Sequence, residues 1–364
     1  MENRTIFIKP QGGIGDLFVA IPLLHALGRA MPGTEIVVGL TPAQVPLGEL
    51  LMGCAIDRAV PLPYERRLST LLSLRRAIAA SRAHLVVDLM VGSYLPVSGL
   101  RRRPRVIGCV REDVAGLLRW LPRDRPPAGA SKHRVDRYLQ VVSHLGCPKP
   151  RIDFDIPRDL TVLESMRSRL AQHEMLGPGV VAVVPQSGIL AKSWPAENLQ
   201  RTIDAMVHDL DLRVVLVGGL ARSKIASSTA VLDLRGHTTL QEAIHLLRYS
   251  GAFETIVGVD TGLMQLAGSL NSDAEGGYET VTFGNRTVSL FGATDPDRDR
   301  PYDPTGRGFN LVVRAPQDGG RPTRREIAVD RLRRMSRITP EMVLANVEQH
   351  VSSARGRVAR RMER

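Results

Sequence analysis

Residues 5–22 read TIFIKPQGGIGDLFVAIP, and this segment indicates the fold class of the first part of the chain. The apolar run before the glycines predicts a buried strand, and the apolar run after them predicts a helix. Gly12, Gly13 and Gly15 stand between the two runs. Glycine permits a tight turn there and lets backbone N–H groups approach a ligand. A strand, a glycine-rich turn and a helix in succession are typical of a doubly wound α/β domain.

Asp16 ends the glycine turn and has two interpretations. Aspartate is a favoured N-cap, because its carboxylate accepts hydrogen bonds from the free N–H groups of a first helical turn. The position also lies just beyond the predicted strand, where doubly wound sheets bind their ligands. The local pattern favours the cap and leaves a catalytic role open. The glycine spacing differs from the GxGxxG of dinucleotide-binding proteins.

Composition excludes several classes of protein. The chain of 364 residues is long enough for two domains. It has no apolar run near the roughly 20 residues that span a bilayer, and its start lacks the layout of a signal peptide, so we expect a cytoplasmic protein. The net charge of +12 favours anionic partners. An aromatic content of 4% and the lack of a recognised binding module argue against nucleic acid, and the three cysteines have no metal-binding spacing.

Strand and helix patterns alternate in two successive series, which predict two doubly wound domains. The first series has strands at 5–9, 35–39, 84–89 and 105–109 and helices at 17–31, 43–52, 68–82 and 133–145. The second has strands at 179–186, 212–219, 230–236, 254–260 and 287–292 and helices at 195–209, 239–249 and 262–270. We predict domains at 1–155 and 175–335, a C-terminal helix at 339–351 and a basic, disordered tail at 352–364.

Two polar segments follow strands of the second series. In PQSGILAKSWPAEN, residues 185–198, Ser187 offers a hydroxyl and Lys192 a positive charge that could neutralise a phosphate, although a solvated loop lysine is the alternative. In VGVDTGLMQLAG, Asp260, Thr261 and Gly262 end a strand and open a helix, whose free N–H groups favour an anion. The alternative for the aspartate is a simple helix cap.

These segments together resemble one family. GGIGD, HRVDRYLQVVSHLG, KSWPAEN, LRGHTTLQEAIHLL, DTGLMQLAG and LFGATDP, in this order, resemble the ADP-heptose:lipopolysaccharide heptosyltransferases over most of residues 4–350. The resemblance implies the GT-B fold, an α/β fold in which two Rossmann-like domains face one another across a cleft. It also implies a glycosyltransferase that moves a heptose or related sugar from a nucleotide-diphosphate donor, with ADP-heptose expected, by an inverting, metal-independent reaction.

The resemblance assigns roles to individual residues. Asp16 would be the general base that takes the proton of the acceptor hydroxyl, and the turn glycines Gly12, Gly13 and Gly15 would leave room for donor and acceptor. The residues expected to bind the donor are Ser187, Lys192, Asp260, Thr261, Gly262 and Gln265. No cofactor and no metal ion are expected, because the lysine and the helix N–H groups would stabilise the departing diphosphate.

Three features depart from the family pattern. Gln265 stands where the family usually has His, and Arg222 where it commonly has Glu, which binds the donor ribose. An arginine cannot accept hydrogen bonds from ribose hydroxyls, so the donor nucleotide stays open. Residues 271–285 form an insertion, which is a flap, an interface element or, as we slightly favour, a neutral loop extension.

The acceptor is also open. It could be a lipopolysaccharide core glycolipid, another glycan or a small molecule, bound by the N-terminal domain. A basic protein acting on a glycolipid could touch the anionic inner face of the membrane peripherally. Two other functions compete with transfer: a non-catalytic nucleotide-sugar-binding protein, and a sugar-nucleotide epimerase or hydrolase of the GT-B fold.

Overall fold

The computed structural model describes residues 4–10, 12–63, 68–89, 104–108, 133–219, 224–226, 228–272, 286–292, 294–303, 305, 308–316 and 333–362. They divide into two compact units. The first unit holds the described residues up to Pro157 together with Asn271 and Ser272, and the second holds the rest from Arg158 onward.

The first unit is built on a parallel sheet. Its strands are β1 (Thr5–Lys9), β2 (Glu35–Leu40), β3 (Arg58–Pro61), β4 (Leu85–Asp88) and β5 (Arg105–Gly108), in the spatial order β3-β2-β1-β4-β5. Its helices are α1 (Ile14–Ala30), α2 (Val45–Leu51), α3 (Leu68–Ser81) and α4 (Arg134–His144). Ile6, Phe7 and Ile8 of β1 are fully buried, which is typical of strands in a parallel sheet covered on both faces.

The second unit repeats this plan. Its strands are β6 (Val180–Val184), β7 (Arg213–Leu216), β8 (Val231–Asp233), β9 (Thr255–Val259), β10 (Thr287–Phe291) and β11 (Asn310–Arg314), all paired in parallel in the order β11-β10-β9-β6-β7-β8. Its helices are α5 (Leu160–Gln172), α6 (Ala196–His208), α7 (Leu240–Ile244), α8 (Gly262–Gly268), α9 (Pro296–Asp299) and α10 (Pro340–Met362), and a π-helical turn, His245–Tyr249, follows α7. The predicted two series of strands and helices are confirmed.

Two of the elements that sequence patterns missed have weak apolar patterns. The edge strand β3 alternates partly buried and exposed residues, so it lacks the continuous apolar run of a central strand. Helix α5 buries only Met166 and Leu170, and its pattern is correspondingly weak. This helix belongs to the second unit, which therefore begins before the predicted residue 175.

The C-terminal helix corrects a prediction. The sequence placed its end at 351 and a disordered tail after it, whereas α10 runs from Pro340 to Met362. Val343, Val347 and Val351 are buried and anchor its first half. Extension then follows because Arg, Ala and Met are good helix formers and an existing helix elongates without a new nucleation step. Across the described ranges, no helix combines the length and apolar character needed to cross a membrane.

Of the insertion at 271–285, the structure describes Asn271 and Ser272. Ser272 forms an antiparallel bridge with Ile152, which attaches this point to the first unit. The remaining residues of the insertion, 273–285, and Arg222 lie outside the described part of the chain.

Candidate functional site

The strand order of the first sheet determines where its ligand crevice lies. The chain moves outward from β1 to β2 and β3 and then returns to β4 on the other side of β1. Strands β1 and β4 therefore form the switch point, beyond whose carboxyl ends doubly wound sheets bind ligands. The glycine turn follows β1 directly and leads into α1, so Asp16 and its glycines lie at this point of the first unit.

Asp16 lies in the first turn of α1. The helix begins at Ile14 with Gly13 as its N-cap, so the aspartate is the third helical residue and not the cap itself. Its Oδ2 accepts a hydrogen bond from the backbone N–H of Gly13 at 2.9 Å. A Cβ added at Gly13 would lie 3.1 Å from the same oxygen. Glycine at this position therefore leaves room for the carboxylate to reach back over the turn.

Arg134 contacts the other oxygen of the same carboxylate. Its Nη1 donates to Asp16 Oδ1, and the two side chains are 13% and 22% exposed. Arg134 is the first residue of α4, a helix that packs on α1. Sequence reasoning quoted the segment HRVDRYLQVVSHLG but did not assign this arginine. The sequence signal that could have found it is an arginine in the first turn of a predicted helix. The positive end of the helix dipole disfavours a cation there, so an arginine at this position indicates another role.

The loop after β2 fixes the backbone of the glycine turn. The Thr41 hydroxyl donates to the carbonyl of Gly12 at 2.8 Å, and the Gln44 amide donates to the carbonyl of Gly13 at 3.0 Å. Gln44 also accepts from the N–H of Thr41 at 3.1 Å and is fully buried. A buried amide needs such partners. These two residues were missed, and their place just after an apolar strand was the only sequence signal for them.

Lys192 and Asp260 meet at the switch point of the second sheet. Here β6 and β9 are adjacent although β7 and β8 separate them in the chain. Lys192, beyond β6, donates from Nζ to Asp260 Oδ2, beyond β9, at 2.6 Å. The Thr294 hydroxyl donates to the same oxygen at 2.7 Å. Asp260 is 7% exposed and the lysine side chain 22%, so the ammonium group keeps access to solvent while its partner is buried.

The start of α8 stands beside this pair. Thr261 is the N-cap, and its Oγ1 accepts from the N–H of Met264 at 3.4 Å. Gly262 is the first helical residue. The N–H groups of a first helical turn have no partner within the helix and, with the helix dipole, favour an anion. The Ser187 hydroxyl lies in the loop after β6, where it accepts from the N–H of Ile189 at 3.2 Å.

Gln265 has a different environment from the other predicted donor residues. Its side chain is buried, with 4% of the residue exposed, and its amide donates to the carbonyl of Asp299. The residue thereby attaches α8 to the end of α9. Its predicted contact with the donor stays a prediction.

The two clusters offer different chemistry. The first unit presents a carboxylate, which can accept a proton from a hydroxyl group. The second presents a cation, hydroxyl groups and the start of a helix, a combination suited to a phosphate or diphosphate. Within the described ranges, no three His, Cys, Asp or Glu side chains are grouped so that they could hold a metal ion.

Comparison with protein families gives one match. A model described as "Glycosyltransferase family 9 (heptosyltransferase)" matches residues 72–318. No curated protein sequence matches the chain.

Three of the solved structures with the same fold come from two bacteria. A glycosyl transferase family 9 protein from Veillonella parvula has a TM-score of 0.70 and 16% identity, with 97% of this chain and 98% of that one covered. The E. coli ADP-heptose lipopolysaccharide heptosyltransferase II has a TM-score of 0.63 and 19% identity over 96% and 99% of the two chains. E. coli heptosyltransferase WaaC with ADP has a TM-score of 0.58 and 17% identity over 95% and 99%. The predicted GT-B class of α/β fold is confirmed.

Proposed function

The chain belongs to glycosyltransferase family 9, the heptosyltransferase family, and we propose that it transfers a heptose from ADP-heptose to a hydroxyl of a glycan acceptor. The observation that carries the proposal is the ion pair of Lys192 with Asp260 beside the capped start of α8, at the switch point of the second sheet. ADP-heptose as donor is supported by the E. coli proteins of the same fold, one named for ADP-heptose and one solved with ADP.

The second unit binds the donor diphosphate in this proposal. Lys192 neutralises the phosphate charge, and the N–H groups at Thr261 and Gly262 donate to phosphate oxygens. Negative charge grows on the nucleotide diphosphate as the bond from the sugar C1 to the phosphate oxygen breaks. The cation and the oriented N–H groups therefore stabilise the transition state more than the bound donor, which accelerates the reaction.

The first unit activates the acceptor. Asp16 takes the proton of the acceptor hydroxyl as the hydroxyl oxygen forms the bond to C1. The electron pair of the broken bond leaves with ADP. A single displacement of this kind inverts the configuration at C1 and needs no covalent intermediate with the enzyme.

Metal independence is part of the proposal. A divalent cation in phosphoryl or glycosyl transfer neutralises the charge of the leaving diphosphate, and Lys192 with the α8 N–H groups supplies that function here. We expect turnover to be unaffected by EDTA. Loss of turnover in EDTA, with recovery on adding back one metal ion, would refute this part alone.

The acceptor is proposed to be an anionic glycan. The net charge of +12 favours negatively charged partners, and a lipopolysaccharide core carries such charge. We propose that the protein acts in the cytoplasm, with peripheral contact at the inner membrane face when the acceptor is a glycolipid.

The test combines a donor panel with product analysis. Thermal shifts with ADP-heptose, GDP-mannose, UDP-glucose and a dTDP-sugar identify the nucleotide, because a ligand that binds the folded state raises its Tm. Nucleotide release is then followed with and without a heptose-free lipopolysaccharide core, and NMR of the product gives the anomeric configuration. We expect ADP-heptose alone to shift the Tm strongly and ADP release to require the acceptor. Equal release without acceptor would identify a hydrolase instead.

A further inference from the structure

The contact between Arg134 and Asp16 differs from the ordinary surface ion pairs of this chain. Its side chains are 13% and 22% exposed, whereas those of the exposed pair Arg201–Glu341 are 59% and 69% exposed at 3.4 Å. Exposed pairs are screened by water and salt and contribute little. The pair at Asp16 is screened less, so removal of its cation changes the electrostatic environment of the carboxylate.

The position of Arg134 is set by a well-fixed helix start. His133 is the N-cap of α4 and accepts from the N–H of Val135 at 3.2 Å. Both residues are buried, and α4 packs on α1, which carries Asp16. A cation at the first position of a helix opposes the helix dipole. Helix stability therefore does not account for an arginine here, and its contact with Asp16 does.

We propose that Arg134 is a positioning residue that holds the Asp16 carboxylate oriented toward the acceptor hydroxyl. The inference rests on the proposed function, in which Asp16 is the general base. Arg134 uses one lone pair of Oδ1, and the Gly13 N–H uses one of Oδ2. A carboxylate has about four lone-pair sites, so sites remain for the incoming proton. The guanidinium keeps its own proton throughout, because it does not deprotonate in proteins.

The contact fixes the direction of the carboxylate, which favours proton transfer because geometry limits general-base catalysis. Loss of the arginine should therefore lower kcat and leave the KM for the donor unchanged. A purely structural arginine would change stability without this separation of kcat from KM.

The experiment compares kcat and the KM for ADP-heptose between the wild type and three variants, with the acceptor present. For Arg134→Gln we expect kcat to fall about tenfold or more with an unchanged KM for the donor. For Arg134→Lys, which keeps the charge without the guanidinium geometry, we expect a smaller fall in kcat, again with an unchanged KM. The matched control is Arg58→Gln, which breaks the 2.7 Å ion pair with Glu35 in the same unit and should change neither quantity.

The outcomes separate this inference from the proposed function. If the wild type transfers heptose and Asp16→Asn does not, but Arg134→Gln keeps the wild-type kcat, the positioning role is wrong and the general base stands. If the wild type transfers no sugar from any donor, both fail. Thermal unfolding of each variant accompanies the assay. Should Arg134→Gln not fold, Arg134→Lys decides: lowered kcat with an unchanged KM for the donor supports the inference, and unchanged kcat refutes it.

Discussion

In each unit the predicted functional group forms an ion pair. The functional group is the anion of the pair in the first unit and the cation in the second. In the first unit the functional group is the carboxylate of Asp16, and Arg134 holds it. In the second it is the ammonium group of Lys192, and Asp260 holds it. In both pairs the functional member is the more exposed, with 22% against 13% in the first and 22% against 7% in the second.

This difference indicates how each pair behaves when substrate binds. In the proposed reaction the donor diphosphate competes with Asp260 for Lys192, because both are anions, so donor binding can replace the second pair. The acceptor hydroxyl in the same proposal is neutral and does not compete with Arg134, so the first pair would persist through binding. Removal of the less exposed partner from either pair would leave a partly buried charge without compensation.

The largest effect is expected for Asp16→Asn. Asparagine keeps an oxygen for the N–H of Gly13 but cannot take a proton from the acceptor. We expect kcat to fall by about 10² to 10⁴-fold, while donor affinity measured by calorimetry changes little. Asp57→Asn is the control, because Asp57 uses its carboxylate on the N–H of Ile36 at 2.7 Å within the same unit. If Asp16→Asn retained more than a tenth of wild-type kcat, Asp16 of the first unit would not be the general base.

A smaller effect, and a different one, is expected for Lys192→Gln. Loss of the cation removes a charge-assisted contact with the diphosphate, so donor affinity should fall about tenfold to a hundredfold and kcat should fall with it. The dependence of donor affinity on salt should also weaken, since one charge contact is lost. The control is Lys224→Gln, at an exposed lysine of the same unit. Unchanged donor affinity in the Lys192 variant would show that the second pair is only structural.

Thr294→Val removes the hydroxyl that supports the Lys192–Asp260 pair and keeps the shape of the side chain. The hydroxyl donates to Asp260 Oδ2 at 2.7 Å, and its loss leaves that oxygen to the lysine alone. A hydrogen bond to a charged group contributes about 1.5–3 kcal/mol, and part of this should appear as lower stability. Because Asp260 then holds Lys192 more strongly, we expect donor affinity to fall about threefold to tenfold. Thr305→Val, whose hydroxyl contacts Asp303 in the same unit, should leave affinity unchanged.

The sequence predicted those parts of the fold and site that depend on local pattern. Continuous apolar runs identified the central strands, and the rule that ligands bind beyond strand ends directed attention to Asp16, Lys192 and Asp260. The start of α1 was placed at residue 17, but the helix begins at Ile14. The three glycines suggested a loop, whereas one of them, Gly15, lies inside the first helical turn.

The partners of the functional groups were not predictable in the same way. Arg134 lies 118 residues from Asp16 in the chain, and Thr294 lies 34 residues from Asp260. Their contacts follow from the packing of α4 on α1 and from the order of β9 and β10, neither of which a local pattern fixes. Gln44 is a third example, since its burial becomes evident only when the loop after β2 folds over the glycine turn.

The smallest expected effect is the response of folding stability to mild acid, which should differ between the two units. His350 on α10 is buried, and burial holds its pKa below the ordinary value of 6.5. Its neutral ring contacts the Thr255 hydroxyl at 2.9 Å and the Gly308 carbonyl at 3.1 Å. In the first unit, the hydrogen bond from Arg58 holds the pKa of Glu35 below its ordinary value of 4.5. Glu35 is therefore protonated only in stronger acid.

These pKa directions give the sign of the response. Below pH 6.5 the unfolded chain protonates His350 while the folded chain resists it, so the unfolded state binds more protons and the free energy of unfolding falls as pH falls. We expect hydrogen exchange at α10 and β9 to accelerate between pH 7 and about pH 5.5, after correction for intrinsic rates, while α1 and β1 stay protected. His350→Gln, which keeps hydrogen-bonding groups without titrating, should remove this difference and reduce the fall in Tm by a few degrees. Equal acceleration in both units, or an unchanged response in the glutamine variant, would show that the sensitivity to mild acid does not arise at His350.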